Sequence, residues 1–116
     1  MHTAAKIYPY PPDLEAEIIF SPTEQGGRSV PGFSGYRAQF YYDEHDWDAV
    51  YEFPDNENVS PGETARVFLR FLSPSGHVGR VHAGMDFHVR EGTRVVARGR
   101  VTEILKLAES AERVRT

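Results

Sequence analysis

The sequence predicts an all-β fold, a closed six-stranded antiparallel barrel of Greek-key type. Three observations point there. Six runs alternate apolar and polar residues with a period of two, the signature of half-buried strands. Glycine- or proline-containing turn chemistry separates most of the runs. The chain has 116 residues, enough for one domain and one core. Six short strands in so small a domain need their edges covered, and closing the sheet on itself removes them.

The first run sets Leu14, Ala16, Ile18 and Phe20 on one face and Glu15, Glu17 and Ile19 on the other. The second sets Tyr36, Ala38, Phe40 and Tyr42 against Arg37, Gln39 and Tyr41, and the third covers about Trp47 to Phe53. In the fourth, Ala65, Val67, Leu69 and Phe71 alternate with Arg66, Phe68 and Arg70. The fifth alternates Met85, Phe87 and Val89 with Asp86, His88 and Arg90. The sixth alternates Val95, Ala97, Gly99 and Val101 with Val96, Arg98 and Arg100. Ser21-Pro22, Gly26-Gly27 and Pro31-Gly32 mark a long first loop. Pro54-Asp55-Asn56 and Pro61-Gly62 bracket the next break, and Ser73-Pro74-Ser75-Gly76 opens another that ends near Gly84. Glu91-Gly92-Thr93 is short enough for a tight hairpin. Gly99 inside a strand predicts a bulge or a close backbone approach. The barrel spans about residues 13–105, with an N-terminal lead over 1–12 and a short polar tail over 106–116 that reads as helical and packs outside or frays.

Composition narrows the function. There are no cysteines, so disulfides and thiolate metal sites are excluded. No apolar run is long enough to span a membrane, and residues 1–6 lack the apolar region of a secretory signal. A cytoplasmic location is the default expectation. The net charge of −4 divides unevenly: residues 1–63 carry three bases against twelve acids, and residues 64–116 carry ten bases against five acids. Such a split marks either an interaction surface or two halves that interleave so that their charges face each other.

No constellation reads as catalytic. His77, His82 and His88 lie near Asp86, but their spacing matches no metal-ligand motif, and the first two are expected in a flexible loop. The acidic run over residues 43–48 lacks the glycine and spaced ligands of a calcium loop and reads as a solvated loop. No GxxxxGK[ST] phosphate loop exists, so GTP binding is not expected. The reading assigns no enzyme activity, no metal and no cofactor. What remains is a stripe of outward arginines, Arg66, Arg70, Arg90, Arg94, Arg98 and Arg100, with Tyr41, Trp47, Tyr51 and Phe68 as aromatic anchors. Arginines and aromatics suit protein interfaces, and they also suit single-stranded RNA.

Several motifs in order carry a family resemblance. Gly26-Gly27-Arg28 followed by Phe33-Ser34-Gly35-Tyr36-Arg37-Ala38-Gln39-Phe40-Tyr41 resembles the GGR…GYRPQFY stretch of elongation factor Tu, in that factor's third, C-terminal barrel domain. Pro61-Gly62-Glu63 resembles its MPGD turn. Phe87-His88-Val89-Arg90-Glu91-Gly92-Thr93-Arg94 resembles its FAIREGGR, and Val101-Thr102-Glu103-Ile104-Leu105 its last strand. The resemblance implies a six-stranded antiparallel barrel without catalytic residues. In the family that domain packs on the GTPase domain and helps hold the T-stem of aminoacyl-tRNA. Carried over position by position, it nominates Arg28, Arg37, Gln39, Gly92 and Arg94 as binding residues. The chain also departs from the pattern. Asp48 falls where the family has a threonine that meets RNA, inside an acidic stretch that repels phosphate. Asp86 replaces an arginine, His88 replaces a small alanine, and the loop over residues 75–83 is longer. The expectation is a third domain living alone, starting at its own Met1. It would be a non-catalytic module that docks a protein partner linked to translation or to factors that recognise elongation factor Tu. The alternative is an accessory protein that binds RNA or tRNA through the arginine stripe. Any tRNA binding is expected to be weak.

Overall fold

The computed structural model describes residues 10–115; residues 1–9 of the expected lead, and Thr116 of the expected tail, lie outside the described residues. Eight strands are formed among the described residues: β1 (Leu14–Phe20), β2 (Gly32–Phe33), β3 (Tyr36–Tyr42), β4 (His45–Glu52), β5 (Asn58–Val59), β6 (Thr64–Phe71), β7 (Asp86–Glu91) and β8 (Arg94–Ile104). A C-terminal helix α1 (Leu107–Arg115) follows. Six of the strands close into a barrel in the order β1-β6-β4-β3-β7-β8, every pairing antiparallel. These are the six runs that alternate in the sequence. The remaining two, β2 and β5, pair as a two-residue ribbon, Gly32 opposite Val59 and Phe33 opposite Asn58. Two residues cannot display a period, so this ribbon left no trace in the pattern.

Inward side chains fill the barrel. Leu14, Ala16, Ile18 and Phe20 of β1 meet Phe40 of β3, Val67 and Leu69 of β6, and Phe87 and Val89 of β7, all buried. Phe40 stacks on Phe87 at 4.1 Å between ring centroids and receives Phe71 edge-on at 5.0 Å. Gly99 is what lets Phe87 lie there: a Cβ on Gly99 would sit 2.3 Å from the Phe87 ring. The expected close backbone approach is not what the structure has: a side chain fills the space over Gly99. The bulges of β8 lie elsewhere. Arg90 faces Val95 while Val89 faces Ala97, and Glu15 faces Glu103 while Ala16 faces Val101. The extra residues, Val96 and Thr102, reverse the alternation, so Val96 and Ala97 are both buried and Thr102 and Glu103 are both exposed.

Three expectations are corrected. The acidic run is not a loop. Asp43 and Glu44, with φ of 53° and 62°, form a two-residue turn between Tyr42 and His45, so β4 starts two residues earlier than the alternation suggested. Two successive positive φ values mark the mirror-image hairpin turn whose twist matches the strands. Tyr51 is not an outward anchor. It shares the inward parity of Ala49 and is completely buried. Trp47, on the same parity at the barrel end, is half-buried. His77 does not lie in an open loop. It is fully buried, stacked on Phe71 at 3.8 Å with Trp47 edge-on at 4.6 Å, and its Nδ1 is 2.8 Å from the Tyr42 hydroxyl.

The tail packs instead of fraying. Leu107, Ser110 and Ala111 of α1 are buried, and the helix rests on the 3-10 turn Pro74–Gly76. The Leu105 and Lys106 N–H groups donate to the Asp13 and Pro12 carbonyls, at 2.9 and 3.3 Å, which ties the tail to the start of β1. Asp13 is buried, accepts the Phe71 N–H at 2.8 Å, and burial raises its carboxyl above the ordinary range. The helix, the 3-10 turn and the Asp43–Glu44 hairpin thus gather at one end of the barrel. The long first loop and the Gly92 hairpin gather at the other.

Candidate functional site

The residues nominated by resemblance fall into two groups. The first surrounds Glu91 at the end of β7. Gly27 lies so close to the Ser21 carbonyl that a Cβ there would be 2.0 Å from the oxygen. That tight fold of the loop sends Arg28 inward, where its guanidinium donates to the Glu91 carboxylate and covers the Tyr36 ring at 4.7 Å. The Tyr36 hydroxyl donates to the same carboxylate oxygen. Burial alone would raise the Glu91 carboxyl, but the hydrogen bonds from Tyr36 and Arg28 and the nearby cations hold it below the ordinary range. Burial, then the Glu91 bond, pushes the Tyr36 phenol well above its usual value. Arg94 sits 3.5 Å from the other Glu91 oxygen. Gly92 starts the two-residue hairpin between them at φ 62°. Arg28, Gly92 and Arg94 therefore converge, but on an internal carboxylate. Arg28 acts as a clamp between the first loop and the β7–β8 hairpin.

The second group lies on the outer face of β3. Gln39 stands opposite Asp48 of β4 and Arg90 of β7, and its amide donates to the Asp48 carboxylate at 2.8 Å. The acid that replaces the family's threonine thus occupies the glutamine. Arg37 stands opposite Val50 and has no ion pair among the described residues.

The six arginines expected to form a stripe do not run uninterrupted. In the barrel, β1 of the acidic half lies between β6 and β8 of the basic half. Arg66 reaches Glu15 and Asp55, each at 2.9 Å. Arg70 holds the buried Glu52 at 2.7 Å and donates to the Tyr10 carbonyl. Arg90 is 3.5 Å from Asp46 and lies over the Tyr41 ring at 4.4 Å. Arg100 pairs with Asp86 at 2.9 Å. The uneven halves of the sequence interleave, and their charges meet.

Between β1, β8 and β7 the outer face holds a shallow depression of about 230 Å³ lined by Glu17, Ile19, Asp86, Arg98, Gly99 and Arg100. Ile19 is 51% exposed there. Its cross-strand neighbour Arg98 has only Ile19 and His88 beside it and makes no ion pair among the described residues. His88 stacks on Tyr41, with ring planes 12° apart and centroids at 6.1 Å. The importance of Ile19 was visible in the sequence only as an apolar residue on the charged parity of β1. Its uncommitted neighbours were not. No group of three His, Asp or Glu side chains among the described residues is placed to hold a metal ion. No helix among them is long and apolar enough to cross a membrane.

Fold and site together define a closed antiparallel β-barrel with a mixed-charge, partly apolar outer face and no metal cradle among the described residues. The chain belongs to the family of the elongation factor Tu C-terminal domain, which matches residues 10–105. The domain of that family is a non-catalytic one.

Proposed function

We propose that the protein is a non-catalytic, cytoplasmic binding module that docks a protein partner on the outer face of β1, β8 and β7, a partner connected with translation or with factors that recognise elongation factor Tu. One observation carries this reading. Of the eight arginines that the sequence nominates, six already face carboxylates of the same chain: Arg28, Arg66, Arg70, Arg90, Arg94 and Arg100. Affinity for nucleic acid rests on cations free to neutralise phosphate. Mixed charge around an exposed aliphatic side chain suits a protein surface, where a desolvated apolar centre is rimmed by polar groups.

The Tyr41–His88 stack under Arg90 favours a second reading, in which a base of RNA or tRNA stacks on this face. Asp46 and Asp48 oppose it from the neighbouring strand. A photo-crosslinking residue at Ile19, with anisotropy of labelled aminoacyl-tRNA across a salt series, separates the two. The expected result is a nuclease-resistant protein adduct and tRNA binding weaker than micromolar. A nuclease-sensitive adduct with a steep salt slope would establish the RNA reading instead.

A further inference from the structure

We infer that the Ile19 patch pairs with the same patch of a second copy of this chain, forming a two-fold dimer. The inference rests on the reading of this face as a protein interface and names one occupant for it.

The pattern of ion pairs leads there. Glu17 stands opposite two arginines, Arg66 on β6 and Arg100 on β8. Neither turns to it: Arg66 is engaged by Glu15 and Asp55, and Arg100 by Asp86. Glu17 is exposed and has no ion pair among the described residues. Arg98, one strand over and two residues along, has no carboxylate opposite it. On this face the fold thus leaves an acid and a base uncommitted, diagonally placed about an isoleucine that is 51% exposed. All three line a single depression.

That arrangement is self-complementary. A two-fold axis in the plane of contact brings residue i of one copy onto residue j of the other and j onto i. Placed between Glu17 and Arg98, it sets each Glu17 against the partner's Arg98 and buries Ile19 on Ile19. Asp86 keeps Arg100 neutralised beside its symmetry mate. A partner of uniform charge would satisfy only one of the two uncommitted groups and leave the other desolvated. The dimer is a weak one, because exposed ion pairs are screened by water and contribute little.

The test is sedimentation equilibrium of the full chain at low and high salt, with circular dichroism to establish that each variant is folded. The expected wild type associates reversibly, and more weakly at high salt. Glu17→Arg alone or Arg98→Glu alone each disrupts both pairs of the symmetric contact and raises the dissociation constant about tenfold or more. The double variant re-forms both pairs in reversed sense and returns to within about threefold of wild type. Ile19→Glu abolishes association. Wild-type protein that stays monomeric up to about 1 mM, the range where Kd corresponds to about 4 kcal/mol, overturns the inference, as does a charge-swapped double variant that is not rescued. A heterologous protein adduct at Ile19 from a monomeric wild type overturns it too, while leaving the binding-module reading in place.

Discussion

Acidification should unfold this barrel through one histidine. His77 lies between Phe71, Trp47 and Tyr42 with no exposed surface, and Arg80 adds a positive charge nearby. Burial, then Arg80, lowers its pKa to about 4. The folded state therefore binds fewer protons than the unfolded chain between the ordinary histidine value of about 6.5 and about 4. Stability is fully present above that window and declines as pH falls through it. At about 1.36 kcal/mol per pKa unit, the full loss is about 3 kcal/mol, of which about 2 kcal/mol is gone by pH 5. The paired carboxylates Glu15 and Glu91, both held below their usual range, give up their contribution only at lower pH. Urea unfolding at pH 8, 6 and 5 measures the effect directly. In His77→Phe the decline on acidification should vanish, since the raised Asp13 carboxyl contributes a slope of the opposite sign, while the lost Tyr42 bond costs about 1 kcal/mol at pH 8. The two stability curves should cross between pH 8 and pH 5. A wild type whose stability is flat over that range, or a variant that keeps the wild-type slope, would refute the buried neutral imidazole.

Other perturbations follow from the same geometry. Gly99→Ala should destabilise by about 2–3 kcal/mol in urea unfolding, because the new methyl meets a Phe87 ring already stacked on Phe40; Phe87→Leu in the same chain should recover part of the loss. Glu44→Gly should stabilise by about 1 kcal/mol, since a left-handed φ of 62° costs an L-residue that much, and a rise in the thermal midpoint would register it. Replacing Asp43, Glu44, Asp46 and Asp48 by Asn and Gln should raise affinity for aminoacyl-tRNA in fluorescence anisotropy, most at low salt; no gain would place this hairpin away from RNA. Calorimetry with GTP and magnesium should show no heat, because the sequence has no phosphate loop to hold them.

The family and the barrel were legible before any coordinates because they rest on local chemistry. A period of two along β1, β3, β6, β7 and β8 needs only the chain's own order, and Gly-Pro breaks mark where strands must stop. The glycines of the first loop and of the Gly92 hairpin likewise stand where backbone geometry demands them. What the sequence could not decide is which charge meets which. Arg66, Arg98 and Arg100 look alike as outward arginines on outward parity. Barrel closure places β1 between β6 and β8, so that Arg66 finds Glu15 and Arg98 finds Ile19, while Arg100 meets Asp86 across the β7–β8 hairpin. His77 and Tyr51 show the same division. Phe71 lies only six residues upstream of His77, but Tyr42 and Trp47 arrive from β3 and β4. Burial of a polar ring depends on long-range neighbours, which alternation along one strand does not encode. The chain alone thus determined the six barrel strands, most of the turns between them and the family. Closure of the barrel decided which side chains are spent on internal pairs and which, Glu17, Ile19 and Arg98 among them, are left facing outward.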